Sequence, residues 1–238
     1  TKLKDYMLLI KFTLSFTVVF SCVICYLLAP KVVAYNWYMI LLLFLAGMLI
    51  TGSANAINQA VEKDTDAMMK RTASRPLASG RMTVDEAATF SVVAAVFGIF
   101  IIGLWFNWTA AGISGLSLFL YGFIYTPLKK VHSISVLVGA IPGALPCLIG
   151  WVAGNDDFSM GGWIYFGIQF LWQFPHFWAI GWFLYEDYEK AGFFMLPTGK
   201  KDSSTALQTI LYSVWLLVAS LLPCLGYTGK LFISPIAA

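Results

Sequence analysis

Three oxygen-bearing side chains, Asn58, Glu62 and Asp66, follow an apolar stretch at intervals of four residues. In a helix, positions i, i+4 and i+8 lie on one face, with about 6 Å between neighbouring side chains. Mg²⁺ prefers oxygen ligands, and one or two carboxylates commonly hold it together with the phosphate oxygens of a substrate. The pattern predicts that these residues bind a metal and form a catalytic centre.

Basic residues follow on the next turns, at Lys70, Arg71 and Arg75. Arginine can bind phosphate oxygens through two parallel hydrogen bonds, so a metal and a phosphate group could meet at one helix end. We place the latest end of this helix at Pro76. The alternative is an exposed helix whose carboxylates pair with Lys70, but carboxylates that directly continue an apolar helix are costly unless they face a polar cavity.

Further candidates follow two later apolar runs. Tyr125 and Lys129 end one of them, where the alternative is an interfacial tyrosine beside a lysine that reaches for water. His176 follows Pro175 in the other, and a cluster with Glu186 and Asp187 comes after it. A histidine in this setting is either a ligand or a hydrogen-bonded packing residue, and the residues alone leave both open.

The elements that carry these residues are predicted to cross a membrane. Of the 238 residues, 59% are hydrophobic and 11% charged, and the mean hydropathy is +0.78; soluble domains carry about 25% charged residues. The runs are apolar throughout, which excludes the alternation of barrel strands. We predict an all-α, polytopic transmembrane helical bundle and a single domain over residues 1–238. Its seven spans are 6–28, 37–57, 87–105, 110–125, 134–153, 163–184 and 206–227.

The charges are distributed unevenly about these spans. Twelve of the fifteen Lys and Arg residues, and ten of the twelve Asp and Glu, fall on the side of the N-terminus and the loops after spans two, four and six. The positive-inside rule predicts that this side faces the cytoplasm or the mitochondrial matrix. Lys31 and Lys230 fall on the other side, and Lys11 falls inside span one. For the cations alone, attraction to anionic lipid is an equal alternative.

Other features predict structure rather than chemistry. The four cysteines lie in or beside apolar spans and are expected to pack there. Thr83 and Glu86 read as a capping box that opens span three. Gly139 and Gly143 form a small-xxx-small pattern that we expect to pack helices within the chain.

The pattern of Asn58, Glu62 and Asp66, together with Tyr125 and Lys129, resembles the UbiA superfamily of intramembrane prenyltransferases. In that superfamily the motif Asn-x-x-x-Asp-x-x-x-Asp follows the second helix, and Tyr-x-x-x-Lys ends the fourth. The resemblance implies a UbiA-type bundle of nine helices, of which the last two are missing here. It also implies that Arg71, Arg75, Tyr125 and Lys129 contact a diphosphate.

Four blocks resemble the heme-farnesylating branch of that superfamily: 64–80, 143–151, 172–178 and 187–197. This resemblance implies transfer of a farnesyl group from farnesyl diphosphate to a vinyl group of heme B, with water addition, to give heme O and diphosphate. Mg²⁺ is the implied cofactor, held by Asn58, Glu62, Asp66 and Asp187, and His176 is the candidate for heme contact. The lipid bilayer is the implied surrounding, heme A synthase or oxidase-assembly proteins are possible partners, and nucleic acid is not expected.

Two departures keep rival functions open. Glu62 stands where the superfamily has Asp, and the second Asp-x-x-x-Asp of aromatic prenyltransferases is absent after Glu186. The nearest rival is prenylation of an aromatic quinone precursor. A membrane transporter would place charges deep within spans, for which Lys11 and the polar break at His176 are the hints. A structural assembly subunit would leave the aligned Asn58, Glu62 and Asp66 without a role.

Overall fold

The computed structural model describes residues 1–225, and every regular element in that range is helical. The helices are α1 (Lys2–Leu9), α2 (Phe12–Leu28), α3 (Trp37–Val61), α4 (Lys63–Met68), α5 (Val84–Trp105), α6 (Trp108–Phe119), α7 (Thr126–Leu128), α8 (Ser135–Asn155), α9 (Met160–Phe183), α10 (Tyr185–Lys190) and α11 (Ser203–Ser220). A π-helical segment, Leu120–Tyr125, joins α6 to α7, and a 3₁₀ turn, Leu222–Leu225, follows α11. The predicted all-α class is confirmed.

Helices occupy all seven predicted spans, but they are not seven equal crossings. By length and composition, five helical segments in residues 1–225 could cross a membrane, and the pair α1–α2 could form a sixth although it is bent by 50°. The 24-residue α9 is not among them, because its Trp, Tyr, Gln and His side chains make it less apolar. The end of the seventh predicted span at Tyr227 and the cation Lys230 lie outside the described residues.

Helix α8 lies at the centre of the bundle, packed against α2, α6 and α9. Its glycines allow this close approach. A Cβ atom on Gly150 would lie 1.9 Å from the main-chain oxygen of Cys22 in α2, and one on Gly143 would lie 1.9 Å from the Gln173 side chain in α9. At Gly139 the ring of Tyr125 takes the space of a side chain. The glycine pattern therefore packs helices within the chain, as predicted.

Two prolines, Pro142 and Pro146, lie inside α8, and each leaves the carbonyl four residues before it without its helical donor. Pro146 has no N–H to donate to the carbonyl of Pro142, and in a membrane such a group needs another donor. Ser117 supplies it, since its hydroxyl donates to the oxygen of Pro142 at 3.2 Å. A polar side chain of α6 thus preserves the central helix.

The charged connections meet at one end of the bundle. Asp5 of α1 is ion-paired with Arg81 at 2.8 Å, and Arg71 donates to the hydroxyl of Tyr188 in α10 at 3.3 Å. The carbonyl of Lys129 accepts from the main-chain N–H of Phe194 at 2.9 Å. The N-terminus and the loops after predicted spans two, four and six therefore share one end.

One local expectation is confirmed and one needs correction. Thr83 caps α5 through the N–H of Glu86, and the Glu86 carboxylate reaches back to the main-chain N–H of Thr83, as a capping box requires. The same carboxylate also binds Lys2 at 2.9 Å and Tyr6 at 3.1 Å, because α1 lies beside it. Of the four cysteines, three are buried packing residues, whereas Cys224 is exposed after the end of α11. The sequence around Glu86 did not indicate that Lys2 and Tyr6 would lie beside it.

The contact between Gly150 and Cys22 predicts a large cost for one methyl group. Gly150→Ala should lower the free energy of unfolding in detergent by about 1–3 kcal/mol or prevent folding, because the added Cβ meets main chain that cannot move aside. Gly167→Ala in α9 is the matched control: nothing lies within 4 Å of its Cβ position, so the helix should gain about 0.5–1 kcal/mol. Equal stability of the two variants would contradict the close α2–α8 contact.

Candidate active site

The three predicted metal ligands stay aligned although their helix is interrupted. We expected one helix as far as Pro76, whereas α3 ends at Val61, Glu62 lies at the junction, and α4 ends at Met68. The main-chain hydrogen bonds continue across the junction, from Glu62 to Asn58 at 3.0 Å and from Asp66 to Glu62 at 2.7 Å. All three side chains are buried, with at most 2% of each residue exposed.

Each of these three side chains is paired with a cation. Lys11 donates from Nζ to Oδ1 of Asn58 at 2.7 Å. Lys129 is ion-paired with Glu62, and Nη1 of Arg75 contacts both carboxylate oxygens of Asp66 at 2.8 and 2.7 Å. Lys70, the partner that an exposed helix would have used, is exposed and forms none of these pairs. The pairing is therefore internal to a buried site.

Lys11 is the site residue that sequence reasoning missed. We placed it inside span one and took it only as a hint of transport. The structure instead breaks the span at this position: Lys11 has φ +48° between α1 and α2, and its side chain extends to α3. It also lies within electrostatic reach of Glu62, Asp66 and Arg75. A charged residue in an apolar span was the available signal.

The predicted motif at the end of the fourth span also reaches the site. Tyr125 is buried, and Lys129 extends over its ring, with Nζ 4.9 Å from the ring centroid and 5.3 Å from that of Phe193. Thr126 adds a polar contact, because it accepts from Nδ2 of Asn58 at 3.4 Å. The motif thus lies directly beside Asn58 and Glu62, on a different element.

The second acidic cluster approaches from α10. Arg71 joins the loop after α4 to Tyr188, and Met69 packs in one apolar cluster with Ala191 and Phe193. Asp187, on the same short helix, is partly exposed, and its carboxylate makes no hydrogen bond or ion pair within residues 1–225. The cluster is near the site, and the role of Asp187 as a fourth ligand stays a prediction.

His176 lies on an exposed part of α9 rather than in the paired cluster. Its ring stacks on Trp172 with 4.4 Å between centroids. Within the described residues His176 donates no hydrogen bond to the main chain. It therefore does not replace the hydrogen bond that Pro175 removes from α9. Heme contact stays a prediction.

A cavity of 220 Å³ adjoins the site between α9, α10 and the segment after α10. Tyr188 and Phe193, which contact Arg71 and Lys129, are among its lining residues. Desolvation, with the neighbouring Glu189 carboxylate, raises the pKa of Tyr185 on the cavity wall. Ligand pockets usually measure about 300–1,000 Å³, so the cavity alone holds neither a farnesyl chain nor a porphyrin.

The donor set fits Mg²⁺ bound together with a phosphate-bearing substrate. Among residues 1–225, no three His, Cys, Asp or Glu side chains lie close enough to hold a metal ion by themselves. Mg²⁺ does not need such a cage, since it is commonly bound by one or two carboxylates, substrate oxygens and water. Oε1 of Glu62 is buried, and its one partner among the described residues is the Lys129 ammonium, so Glu62 could bind a metal when Lys129 turns to a phosphate oxygen.

Residues 18–238 match the UbiA prenyltransferase family. The chain belongs to this family. This UbiA family member is 50% identical over 235 residues to the protoheme IX farnesyltransferase of Flavobacterium johnsoniae, covering 98% of the chain and 78% of that relative. It is 48% identical over 237 residues to the protein of the same name from Flavobacterium psychrophilum, with the same coverage.

Solved structures confirm the fold of this UbiA family member. A UbiA homologue from Archaeoglobus fulgidus bound to GPP and Mg²⁺ superposes with a TM-score of 0.77 at 16% identity, covering 98% of this chain and 82% of that one. A digeranylgeranylglyceryl phosphate synthase superposes with a TM-score of 0.75 at 24% identity, covering 94% and 78%. The likeness establishes the arrangement of helices.

Proposed function

We propose that the chain is a Mg²⁺-dependent protoheme IX farnesyltransferase, which transfers the farnesyl group of farnesyl diphosphate to a vinyl group of heme B. Three of the relatives that bear this name are 46–50% identical over nearly the whole chain. The farnesyl carbon–oxygen bond breaks, a carbon–carbon bond forms to the vinyl group, and water adds its hydroxyl to the resulting cation and releases a proton. The products are heme O and diphosphate.

The one-to-one pairing of donors and cations carries this proposal. Asn58, Glu62 and Asp66 are the metal-binding side, whereas their partners, the three cations Lys11, Lys129 and Arg75, suit phosphate oxygens. Lys129 and Arg75 offset the two carboxylates, and Lys11, when protonated, adds a positive charge that no carboxylate offsets and that favours a polyanion. A metal–diphosphate complex would bring a new partner to both the oxygen ligands and the cations.

Charge stabilisation at the leaving group is the chemistry that this site can supply. When bound, Mg²⁺ offsets the negative charge that develops on the departing diphosphate. Lys129, Arg75, Arg71 and Lys11 would hold phosphate oxygens, and buried Tyr125 would close the site beside Lys129. Removing water from the site delays capture of the allylic cation until the heme vinyl group reacts.

The rival functions are less well supported. An aromatic quinone precursor would use the same metal face, but no second Asp-x-x-x-Asp follows Glu186, and the 46–50% identical relatives are heme-farnesylating by name. For a transporter, the hint was Lys11 within a span. That lysine is bound to Asn58 of the paired cluster, which is consistent with a role in substrate binding.

The proposed reaction also indicates the membrane, the orientation and the partner proteins of the chain. The chain is a multi-pass membrane protein, and we place it in the bacterial inner membrane or the mitochondrial inner membrane. The cation-rich end, with the N-terminus and the paired site, would face the cytoplasm or matrix. Residues 1–238 would belong to a single prenyltransferase domain, and heme A synthase or oxidase-assembly proteins are the partners that the product suggests.

Product analysis tests the reaction itself. Purified protein in detergent with heme B, farnesyl diphosphate and Mg²⁺ should yield a porphyrin that has gained one farnesyl group and one hydroxyl group by mass. Glu62→Ala and Asp66→Ala should nearly abolish the product, and Asn58→Ala should reduce it less. Asp85→Ala removes an exposed carboxylate at the same end of the bundle and should leave turnover unchanged. Prenylation of an aromatic acid in place of heme would favour the rival enzyme.

The pairing predicts opposite effects of one substitution on metal and diphosphate. Lys129→Met frees Glu62, so Mn²⁺ without diphosphate should bind more tightly, by roughly tenfold. The same change removes a phosphate contact, so pyrophosphate should bind more weakly by a similar factor. Electron paramagnetic resonance and calorimetry give the two affinities. Lys130→Met, an exposed neighbour, should change neither. A parallel loss of both affinities would contradict exchange of partners.

His176 is proposed to contact heme B. His176→Ala should weaken heme binding, measured by absorbance titration, and leave pyrophosphate affinity nearly unchanged, because the ring lies away from the paired cluster. The control is His132→Ala, since His132 is the other histidine of the chain and its Nδ1 accepts a hydrogen bond within its own turn, from the N–H of Ile134. Normal heme affinity in a folded His176→Ala protein would return His176 to a structural role.

A further inference from the structure

Two amide side chains of α3 support the break between α1 and α2. Nε2 of Gln59 donates to the carbonyl oxygens of Leu8 and Leu9, each at 2.9 Å. Nδ2 of Asn55 donates to the carbonyl of Ile10 at 3.1 Å and to Oγ of Ser15 at 3.0 Å. The last carbonyls of a helix have no partner within it, so these amides replace the donors that a continuous helix would have provided.

The supporting residues share one face of α3 with the predicted ligand Asn58. Asn55 and Gln59 are four residues apart, and Asn58 lies between them in sequence, on the adjoining part of the same surface. Gly52, one turn earlier, lets the broken segment approach: a Cβ there would lie 3.1 Å from Cγ2 of Ile10. The face that binds the break is therefore continuous with the face that begins the site.

The break sets the position of Lys11. Its backbone has φ +48° and ψ +59°, a left-handed conformation that is unfavourable for a residue with a Cβ and that persists only where the surroundings impose it. The carbonyls of the three preceding residues are the ones held by Gln59 and Asn55. From that position Nζ of Lys11 reaches Oδ1 of Asn58 at 2.7 Å.

A continuous helix would bond its own carbonyls and would not need buried amides in this span. The chain instead buries Asn55 and Gln59 almost completely, and Oε1 of Gln59 has no hydrogen-bond partner among the described residues. A buried polar atom without a partner destabilises the fold. Strain and an unsatisfied polar atom at one place point to a functional reason for the break.

We propose that Asn55 and Gln59 are positioning residues, which hold the α1–α2 break so that Lys11 reaches the substrate diphosphate. This inference rests on the proposed function for its ligand. The two amides touch neither the reacting atoms nor the metal ligands' carboxylates; they act through the backbone of Leu8, Leu9 and Ile10. Their effect on diphosphate binding must therefore depend on the presence of the Lys11 ammonium.

A double-mutant cycle tests that dependence. Gln59→Met and Asn55→Leu should each weaken pyrophosphate binding at least about fivefold by calorimetry on the full chain in detergent, a loss within the range of a displaced charge-assisted hydrogen bond. Lys11→Met should weaken it roughly tenfold, and adding Gln59→Met to Lys11→Met should produce no further loss. Lys11→Arg should retain most of the affinity. Heme affinity should stay unchanged throughout.

The control is Asn107→Leu at the opposite end of the bundle, where Nδ2 donates to the carbonyl of Val152 at 2.9 Å. It loses the same kind of bond and should leave pyrophosphate affinity unchanged. If Gln59→Met does not fold, Gln59→Asn gives the same cycle, because it keeps the amide and shortens its reach. Equal losses with and without Lys11 would overturn the inference by making the amides merely structural. Unchanged affinity in Lys11→Met would overturn it too, whereas the product assay alone decides the proposed reaction.

Discussion

The structure depends on burying charge at the end of a bundle that lipid surrounds. An isolated carboxylate in such a place is costly, and a buried ion remains only if it is paired and hydrogen-bonded. Glu62 with Lys129 and Asp66 with Arg75 meet that condition, and Lys11 is hydrogen-bonded to the Asn58 amide. The cations come from three separate segments, so satisfying the charges also fixes how α1, α3 and the loop before α8 converge.

This constraint joins stability to binding. A site whose two carboxylates are paired with its own cations keeps both kinds of group aligned for a molecule that carries both charges. The same arrangement discourages metal alone and diphosphate alone, because each would leave one partner of a buried pair without compensation. Selectivity for the complex then follows from the pairing and needs no closing loop.

The sequence predicted the part of the site that lies along one regular helix. It did not predict the parts that depend on contacts between segments far apart in the chain. Asn58, Glu62 and Asp66 were predicted to share a face, and they do, because the hydrogen bonds continue across the end of α3. The break at Lys11 carries no glycine or proline, and the side chains that bind its carbonyls, Asn55 and Gln59, lie more than forty residues away in the sequence. Likewise, large apolar residues lie on every side of α9, so the hydrophobic periodicity could not tell whether His176 faces its neighbours or the outside.

The π-helical segment Leu120–Tyr125 has a consequence for how this chain tolerates insertions and deletions. The N–H of Thr126 bonds the carbonyl of Tyr121, five residues back, so the turn holds one residue more than an α-helical turn. Each residue of a helix turns the next by about 100°. In a regular helix, loss of one residue would therefore turn everything after it by that angle. Here the wide turn can lose its extra residue and become an α-helical turn, so that Lys129 keeps its direction toward Glu62. The π-helical segment is therefore the place where this span tolerates a change of one residue in length.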